Sequence, residues 1–299
     1  MVELESFFVQ RLYLNELKAP STVIPPGLGN RFASCSVYAR HGSLDPSGRT
    51  FPKAAILRTT TNTGFAGGNN VAINFAKHWF SPDYYWLLNN DTRVTPNTLS
   101  ALIDRMSTDP DAGICGATIL SWDGNVQTLG GCRYLKWAGT AAPLYGGRPR
   151  PLRVGTQDVE KSMEYVAGAS MLVSRRFIET VGLMDEGYFL YFEEIDWARR
   201  AAGRFTFRYA PEAVVFHREG GTIGSSQAGI RRSERSFYWL CRSRIRFTLR
   251  HHPAALPTVV FFSVMNALRW ALPSHNFRIL TLCIRGILDA ISKPRAQAA

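Results

Sequence analysis

No two of the five cysteines, Cys35, Cys115, Cys132, Cys241 and Cys283, form a C-x-x-C pair. That excludes the usual start of a zinc site or a dithiol redox motif. An odd, scattered set reads instead as reduced core thiols in a cytosolic chain. The opening M-V-E-L-E-S-F-F lacks the basic-then-apolar order of a secretory leader, so no export is expected. An unbroken apolar run of the ~20 residues that cross a bilayer is also missing. The nearest candidate, Ala254 to Leu268, contains Pro257 and Asn266 and stops at Arg269, which reads as interfacial or buried. There are no internal repeats, no low-complexity tract other than a tail from Lys293 expected to fray, and neither a P-loop nor a G-x-G-x-x-G string.

Charge is scarce, and one sign is scarcer. Charged residues make up 19% of the chain, and 23 acids face 35 Lys and Arg for a net +12. With 45% hydrophobic residues, the disordered and collagen-like classes are excluded, and 299 residues suffice for one large domain or two small ones. The basic excess asks for an acidic partner: nucleic acid, an anionic membrane or a phosphorylated small molecule. Its placement is local, since seven arginines fall between Arg231 and Arg250.

The first ~50 residues are broken by prolines and glycines, as in S-T-V-I-P-P-G-L-G-N, and support little regular structure. From Lys53 the pattern becomes strand, glycine loop, helix: K-A-A-I-L-R, then T-T-T-N-T-G-F-A-G-G-N-N, then V-A-I-N-F-A-K. Tyr84 to Leu88 is a second buried strand, stopped by N-N-D-T, and Thr95-Pro96 is a helix start. Two such units in series predict a mostly parallel α/β sheet flanked by helices, with ligands at the carboxyl ends of its strands. A-S-M-L-V-S is a further strand, Arg175 to Val181 a short helix, and Glu193 to Ala202 a helix closed by Gly203. R-F-T-F-R-Y places Phe205, Phe207 and Tyr209 on one face. From Phe237 a helix carries Arg242, Arg246 and Arg250 as an i, i+4 stripe, which suits either an anionic membrane or a solvated outer face. The expected division is an atypical segment 1–52, an α/β domain 53–225 and a helical extension 226–299.

Four features can carry chemistry, and each has a plainer reading beside it. Asn89 and Asp91, in N-N-D after a strand, can hold a hard divalent cation that keeps its other positions for water and diphosphate, or can simply form a turn. Asn62, Gly64 and Asn69, in the glycine loop, can face phosphate or base, or only tighten a strand-to-helix connection. Glu193, Glu194 and Asp196 crowd a helix start beside aromatic residues, where repulsion can make one a general base; the alternative is helix-dipole complementarity with Arg199 and Arg200. His217, after a short apolar strand, can complete a metal site or be an ordinary hydrogen-bonded histidine.

Taken in order, N-x-G-F-A-x-x-N-N from Asn62, N-N-D from Asn89, G-A-x-M-L-x-x-R-R from Gly168, F-E-E-x-D-W-x-x-R from Phe192 and then His217 resemble family 2 glycosyltransferases, in particular the rhamnosyl- and galactofuranosyl-type branch. R-S-R-I-R-F-T-L-R-H-H-P resembles that branch's helix after the catalytic domain, so the likeness runs from about Lys53 to about Pro253. It implies a GT-A (Rossmann-like) fold and inverting transfer from a nucleoside-diphosphate sugar, with rhamnose the first guess, to a hydroxyl of a glycan or lipid-linked acceptor. It implies Mn2+ or Mg2+ on Asp91 and His217, with Asn89 at the first position of the D-x-D-like motif. Glu194 would be the base, with Glu193 in support. The implied location is the inner face of the cell membrane. The family's opening strand with a tyrosine-asparagine turn, and its V-D-N-x-S motif, are absent here. Base contacts would then fall to residues such as Arg31 or Tyr38, or the chain would be a degenerate, inactive relative. A nucleic-acid-binding protein, suggested by arginines interleaved with Phe237, Tyr238 and Trp239, and a metal-dependent phosphate-ester hydrolase are the rival classes. The acidic cluster, which would repel phosphate, argues for no nucleic-acid partner.

Overall fold

The computed structural model describes residues 21–22, 32–38, 54–149, 154–218 and 233–292. Arg31, the P-P-G-L-G-N stretch, both expected domain boundaries, the loop after Arg218 and the tail from Lys293 lie outside these residues, as does the side chain of Tyr38. Short strands come first: β1 (Ser21–Thr22), β2 (Phe32–Tyr38) and β3 (Ala54–Thr59) pair antiparallel in that order. Then follow α1 (Gly64–Trp79), β4 (Tyr84–Leu88), β5 (Thr92–Val94), α2 (Thr98–Ser107), β6 (Ala112–Leu120), β7 (Val126–Leu129), β8 (Gly131–Leu135) and β9 (Thr140–Pro143). The chain continues through α3 (Thr156–Ser162), β10 (Tyr165–Val166), β11 (Ser170–Ser174), α4 (Arg175–Val181), α5 (Glu193–Ala201), β12 (Thr206–His217), α6 (Glu234–His251), α7 (Leu256–Ser274) and α8 (Arg278–Ser292).

The main sheet runs β4-β11-β6-β12-β5, with β7 on β6. Period-2 alternation distributes β4 between two cores: Tyr85 and Leu87 pack with Ile73 of α1, Phe177 of α4 and Trp197 of α5, while Tyr84, Trp86 and Leu88 face Leu102 and Met106 of α2. With helices on both faces, β6 is buried at every position. The α/β class therefore holds, but the sheet is mixed, not mostly parallel. Among the described strands only β6 and β12 run parallel, and the other pairs of this sheet are antiparallel. β3, expected to begin the parallel series, pairs with β2. A strand buried on both faces carries no periodic mark of its partner's direction.

The glycine loop differs from expectation in a way that matters for the site. It is wound into the first turns of α1, so Asn69 and Asn70 sit inside a helix. Gly64 is the pivot: its φ is +72°, and a Cβ there would lie 1.9 Å from the Phe189 carbonyl oxygen. α2 likewise begins at Thr98, after the Thr95-Pro96 pair, and Thr98 Oγ1 donates to the Val214 carbonyl at 2.9 Å.

The last three helices share a core of Phe237, Ile245, Val259, Ala267, Cys283 and Ile287. The four described cysteines Cys115, Cys132, Cys241 and Cys283 are free and buried. Two expectations change here. The apolar helical stretch does not stop at Arg269 but runs from Pro253 to Ser274, 22 residues, long and apolar enough to cross a membrane by length and composition. And the arginine stripe of α6 is not a free solvated face, although Arg250 at its end is exposed. Arg242 donates to the Gly187 carbonyl at 2.9 Å, Arg246 lies 3.2 Å from Asp185, and Arg250 lies 2.8 Å from Asp185 and 3.3 Å from Asp196. The stripe binds α6 to the segment that leads into α5.

Candidate active site

α5 opens on two residues with unusual backbone. Tyr191 (φ 67°) and Phe192 (φ 71°) are consecutive left-handed non-glycine positions, and each such position costs on the order of 1 kcal/mol or more. The surroundings hold them there. Tyr191 Oη and Ser236 Oγ are 2.7 Å apart, Ser243 Oγ donates to the Leu190 carbonyl at 2.8 Å, and Phe189 stacks on Trp239 with centroids 4.3 Å apart. From the other side, the Phe65 amide donates to the Phe189 carbonyl at 2.9 Å. α1 and α6 thus grip the chain just before the acidic pair.

That grip sets Glu193 and Glu194 at the first turn of α5. Glu193 is buried and Glu194 half-buried, and Oε2 of each is buried without a hydrogen-bond partner. Burial raises the proton affinity of both. Glu193 goes well above the usual glutamate range because the Glu194 charge adds to the burial effect. The pair therefore takes up a proton more readily than two exposed carboxyls would. Gly168 closes over Glu194: a Cβ there would lie 3.1 Å from Oε1.

Asp196 belongs to a different constellation. It is fully buried, with Oδ2 3.0 Å from Arg200 Nε and Oδ1 2.8 Å from His251 Nε2. Burial alone would raise its pKa, but the His251 hydrogen bond and the charges of Arg250 and Arg200 outweigh that and hold it below the usual aspartate range.

At the sheet edge, β12 ends on His217, which pairs with Thr92 of β5 and so stands beside the N-N-D turn. His217 Nε2 is 3.3 Å from Asp91 Oδ1, which is buried and accepts no hydrogen bond. On its other side, His217 Nδ1 lies 3.0 Å from Gln127 Oε1, and Gln127 Nε2 donates to the His217 carbonyl at 2.8 Å. Among the described residues no group of three or more His, Cys, Asp or Glu side chains is placed to hold a metal. Asp91 and His217 are a two-donor set. At 3.3 Å apart, the two donor atoms would hold one divalent ion between them and leave its other positions to phosphate and water. The orphaned Asp91 oxygen makes these residues fit a divalent ion.

The loops meet through the backbone. The Asn89 amide donates to the Ala169 carbonyl at 3.1 Å, next to the Gly168 that covers Glu194. Asn62 Oδ1 accepts from the Gly64 amide at 3.0 Å, capping the turn, and Asn69 Nδ2 donates to the Phe65 carbonyl at 2.9 Å. The residue that the sequence reading passed over is Asn70. Its Nδ2 donates to the Met184 carbonyl at 2.9 Å, and its Oδ1 accepts from the Met184 amide at 3.0 Å, tying α1 to the segment before α5. Gln127 was missed as well. It lies 90 residues from His217 in an otherwise unremarkable strand, and only a polar side chain among the apolar and hydroxyl residues of V-Q-T-L marks it.

An α/β sheet with helices on both faces, an acid and a histidine at one strand end and a glutamate pair across the loops are the features that the resemblance to GT-A glycosyltransferases implies. Over part of its length the chain is similar to family 2 glycosyltransferases, a rhamnosyltransferase among them. Residues 45–157 match the family model described as glycosyl transferase family 2. The chain is 26% identical over 218 residues to N-acetylglucosaminyl-diphospho-decaprenol L-rhamnosyltransferase of Mycobacterium tuberculosis, spanning 64% of this chain and 69% of that one. It is 24% identical over 143 residues to the low-salt glycan biosynthesis hexosyltransferase Agl10 of Haloferax volcanii, spanning 47% of this chain and 43% of that one. Among solved structures, a mannosyltransferase of Pyrobaculum calidifontis, in complex with GDP-Man and Mn2+, aligns with a TM-score of 0.40 at 12% identity. That alignment covers 80% of this chain and 58% of the mannosyltransferase chain.

Proposed function

We propose that the protein transfers a sugar, rhamnose being the first to test, from a nucleoside diphosphate to a hydroxyl of a lipid-linked or cell-surface glycan, with inversion at the anomeric carbon. Asp91 and His217 would hold Mn2+ or Mg2+, with Asn89 beside them, and Asn62 and Gly64 would shape the loop that faces the donor. Asn69, bonded along its own helix, can contribute through that loop only. The metal, when bound, offsets the negative charge that gathers on the diphosphate as the sugar leaves. Glu194 Oε2 takes the acceptor proton while the acceptor oxygen bonds to the anomeric carbon and the electron pair of the breaking bond departs with the diphosphate. Glu193, buried beside Glu194, supports it by adding to the burial that raises its proton affinity. Asp196, committed to Arg200, Arg250 and His251, positions α5 and α6 and takes no proton from substrate. The observation that carries most of this reading is the buried, unpartnered Asp91 oxygen facing His217 Nε2.

The test is calorimetric titration with nucleoside diphosphates, with and without Mn2+, on the native chain and on Asp91→Ala. We expect metal-dependent binding that Asp91→Ala abolishes. A folded native chain that binds no nucleoside diphosphate would favour the second reading, a degenerate relative without a complete nucleotide site, which the absence of the V-D-N-x-S motif motivates.

A lipid-linked acceptor would bring the protein to the inner face of the cell membrane. With the α6 arginines engaged internally, the surface suited to that role is on α7 and α8. Phe261, Phe262, Met265 and Leu272 on α7, Phe277 just before α8, and Ile284, Leu288 and Ile291 on α8 are exposed, with exposed Arg269, Arg278 and Arg285 among them. Apolar side chains rimmed by cations suit anionic lipid. The chain should therefore sediment with vesicles containing anionic phosphatidylglycerol, less so at high salt. Phe261→Ser with Phe262→Ser should release it, and equal sedimentation of the double variant would refute the assignment.

A further inference from the structure

We propose that Gln127 is a positioning residue that fixes the tautomer of His217, so that the imidazole presents a lone pair at Nε2 to a divalent cation shared with Asp91. The inference rests on the metal reading above and adds the group that makes a strand-end histidine into a ligand.

The argument starts from the amide. Gln127 Nε2 donates to the His217 main-chain carbonyl at 2.8 Å, and a carbonyl oxygen can only accept. Turning the amide over would place two oxygens against each other at that distance, so its partner fixes the orientation. The other end, Oε1, therefore faces His217 Nδ1 at 3.0 Å. Oε1 has no hydrogen to give, so Nδ1 must carry one. A neutral imidazole carries a single N–H, which leaves Nε2 with its lone pair. Nε2 lies 3.3 Å from Asp91 Oδ1, an oxygen that is itself buried and accepts no hydrogen bond.

Two electron-rich atoms so placed repel each other, and a cation between them satisfies both. Had Gln127 offered its amino group to Nδ1, the hydrogen would sit on Nε2. Nε2 would then carry a hydrogen and have no lone pair for a metal. Histidines that bind metals commonly have the second ring nitrogen held in this way by an acceptor, and loss of that acceptor costs about 10–100-fold in metal affinity. Gln127 comes from β7 and His217 from β12, both neighbours of β6, so the sheet itself sets the ring's orientation.

The experiment uses the full chain. Mn2+ binding is titrated by the electron paramagnetic resonance of the free ion in wild type, Asp91→Ala, Gln127→Leu and Gln127→Glu. The His217 tautomer is read in the metal-free protein at pH 8.5 from its two ring 15N shifts. We expect an Nδ1–H ring in wild type. Gln127→Leu should lose that signature and weaken Mn2+ binding about 10–100-fold. Gln127→Glu keeps an acceptor opposite Nδ1 but loses the donor to the His217 carbonyl, so it should keep the Nδ1–H ring even where affinity falls, which a merely structural role for the amide would not predict. An Nε2–H ring in wild type overturns the inference, as does Gln127→Leu binding Mn2+ like wild type, or Gln127→Glu losing the Nδ1–H ring as Gln127→Leu does. A wild-type chain that binds no Mn2+ even with a nucleoside diphosphate present fails the metal reading, and this inference with it.

Discussion

Glu194→Gln should lower the turnover of sugar transfer by about 10²–10⁴-fold, the range that a positioned general base supplies, while metal-dependent binding of the nucleoside diphosphate persists. The glutamine keeps the shape beside Gly168 and removes only the capacity to take a proton. In the wild-type chain the acid limb of the turnover profile should lie above the ordinary glutamate range, since burial raises the Glu194 pKa. The same substitution should act on stability in the opposite sense. Both carboxyls have raised pKa values when folded, so between the unfolded value and the folded one the native state binds more protons than the unfolded state. Stability then falls as pH rises through that window. Removing one of the two carboxyls should flatten the slope and raise the melting temperature at pH 8, with little change at pH 4. Turnover in Glu194→Gln within tenfold of wild type would take the base role away from this residue. Loss of donor binding together with turnover would move that residue's contribution to the ground state.

This exchange of stability for reactivity is visible in the geometry around the pair. Left-handed Tyr191 and Phe192 and two buried unpartnered carboxylate oxygens are all unfavourable, and they lie within four consecutive residues. The contacts that hold them come from elements far away in the chain: Phe65 on α1, and Ser236, Trp239 and Ser243 on α6. The helical extension is thus part of the scaffold that holds the acidic pair. Its Phe247 packs in one core with Tyr188 and Ile195 of the α5 region.

Much of this was legible in the sequence where a local rule governs the outcome. Tyr84–Leu88 and Ser170–Ser174 read as strands because short apolar runs are bounded by turn residues, and Arg175–Val181 reads as a short helix, which the structure caps with Ser174, whose Oγ accepts from the Phe177 amide. Strand direction was not legible, because the nine buried positions of β6 would look the same beside a parallel or an antiparallel neighbour. The facing of the α6 arginines was hidden for a similar reason: an i, i+4 stripe fixes a face but not what covers it. Gln127 and Asn70 act across 90 and 114 residues, which no local pattern records. The separation of Asp196 from Glu194 was available and easy to overlook. Two steps along an α-helix turn a side chain by about 200°, so Glu194 and Asp196 must point to opposite sides of α5.

That opposition sets the last expectation. Asp196→Ala should destabilise the chain by about 3 kcal/mol, near the lower end of what breaking a buried ion pair costs, because Arg250 is 43% exposed and can turn to water while Arg200 and His251 are less free to do so. The loss should be felt first where α6 meets α5, since Asp196 is the acid that Arg250 and His251 of α6 share with Arg200 of α5. Hydrogen exchange in α6 and in residues 185–193 should therefore accelerate ahead of the main sheet. The pH dependence separates this role from catalysis. A folded pKa held below the usual range contributes stability above the unfolded value and loses it as pH falls through the folded one. Wild type should consequently lose stability below about pH 4, near the unfolded aspartate value, while Asp196→Asn, already without the charge, should lose less over the same interval. Donor affinity measured well below the variant's melting temperature should stay close to wild type. A variant with native stability but no turnover would instead return Asp196 to the reaction and break the assignment of α5's two faces to chemistry on one side and anchoring on the other.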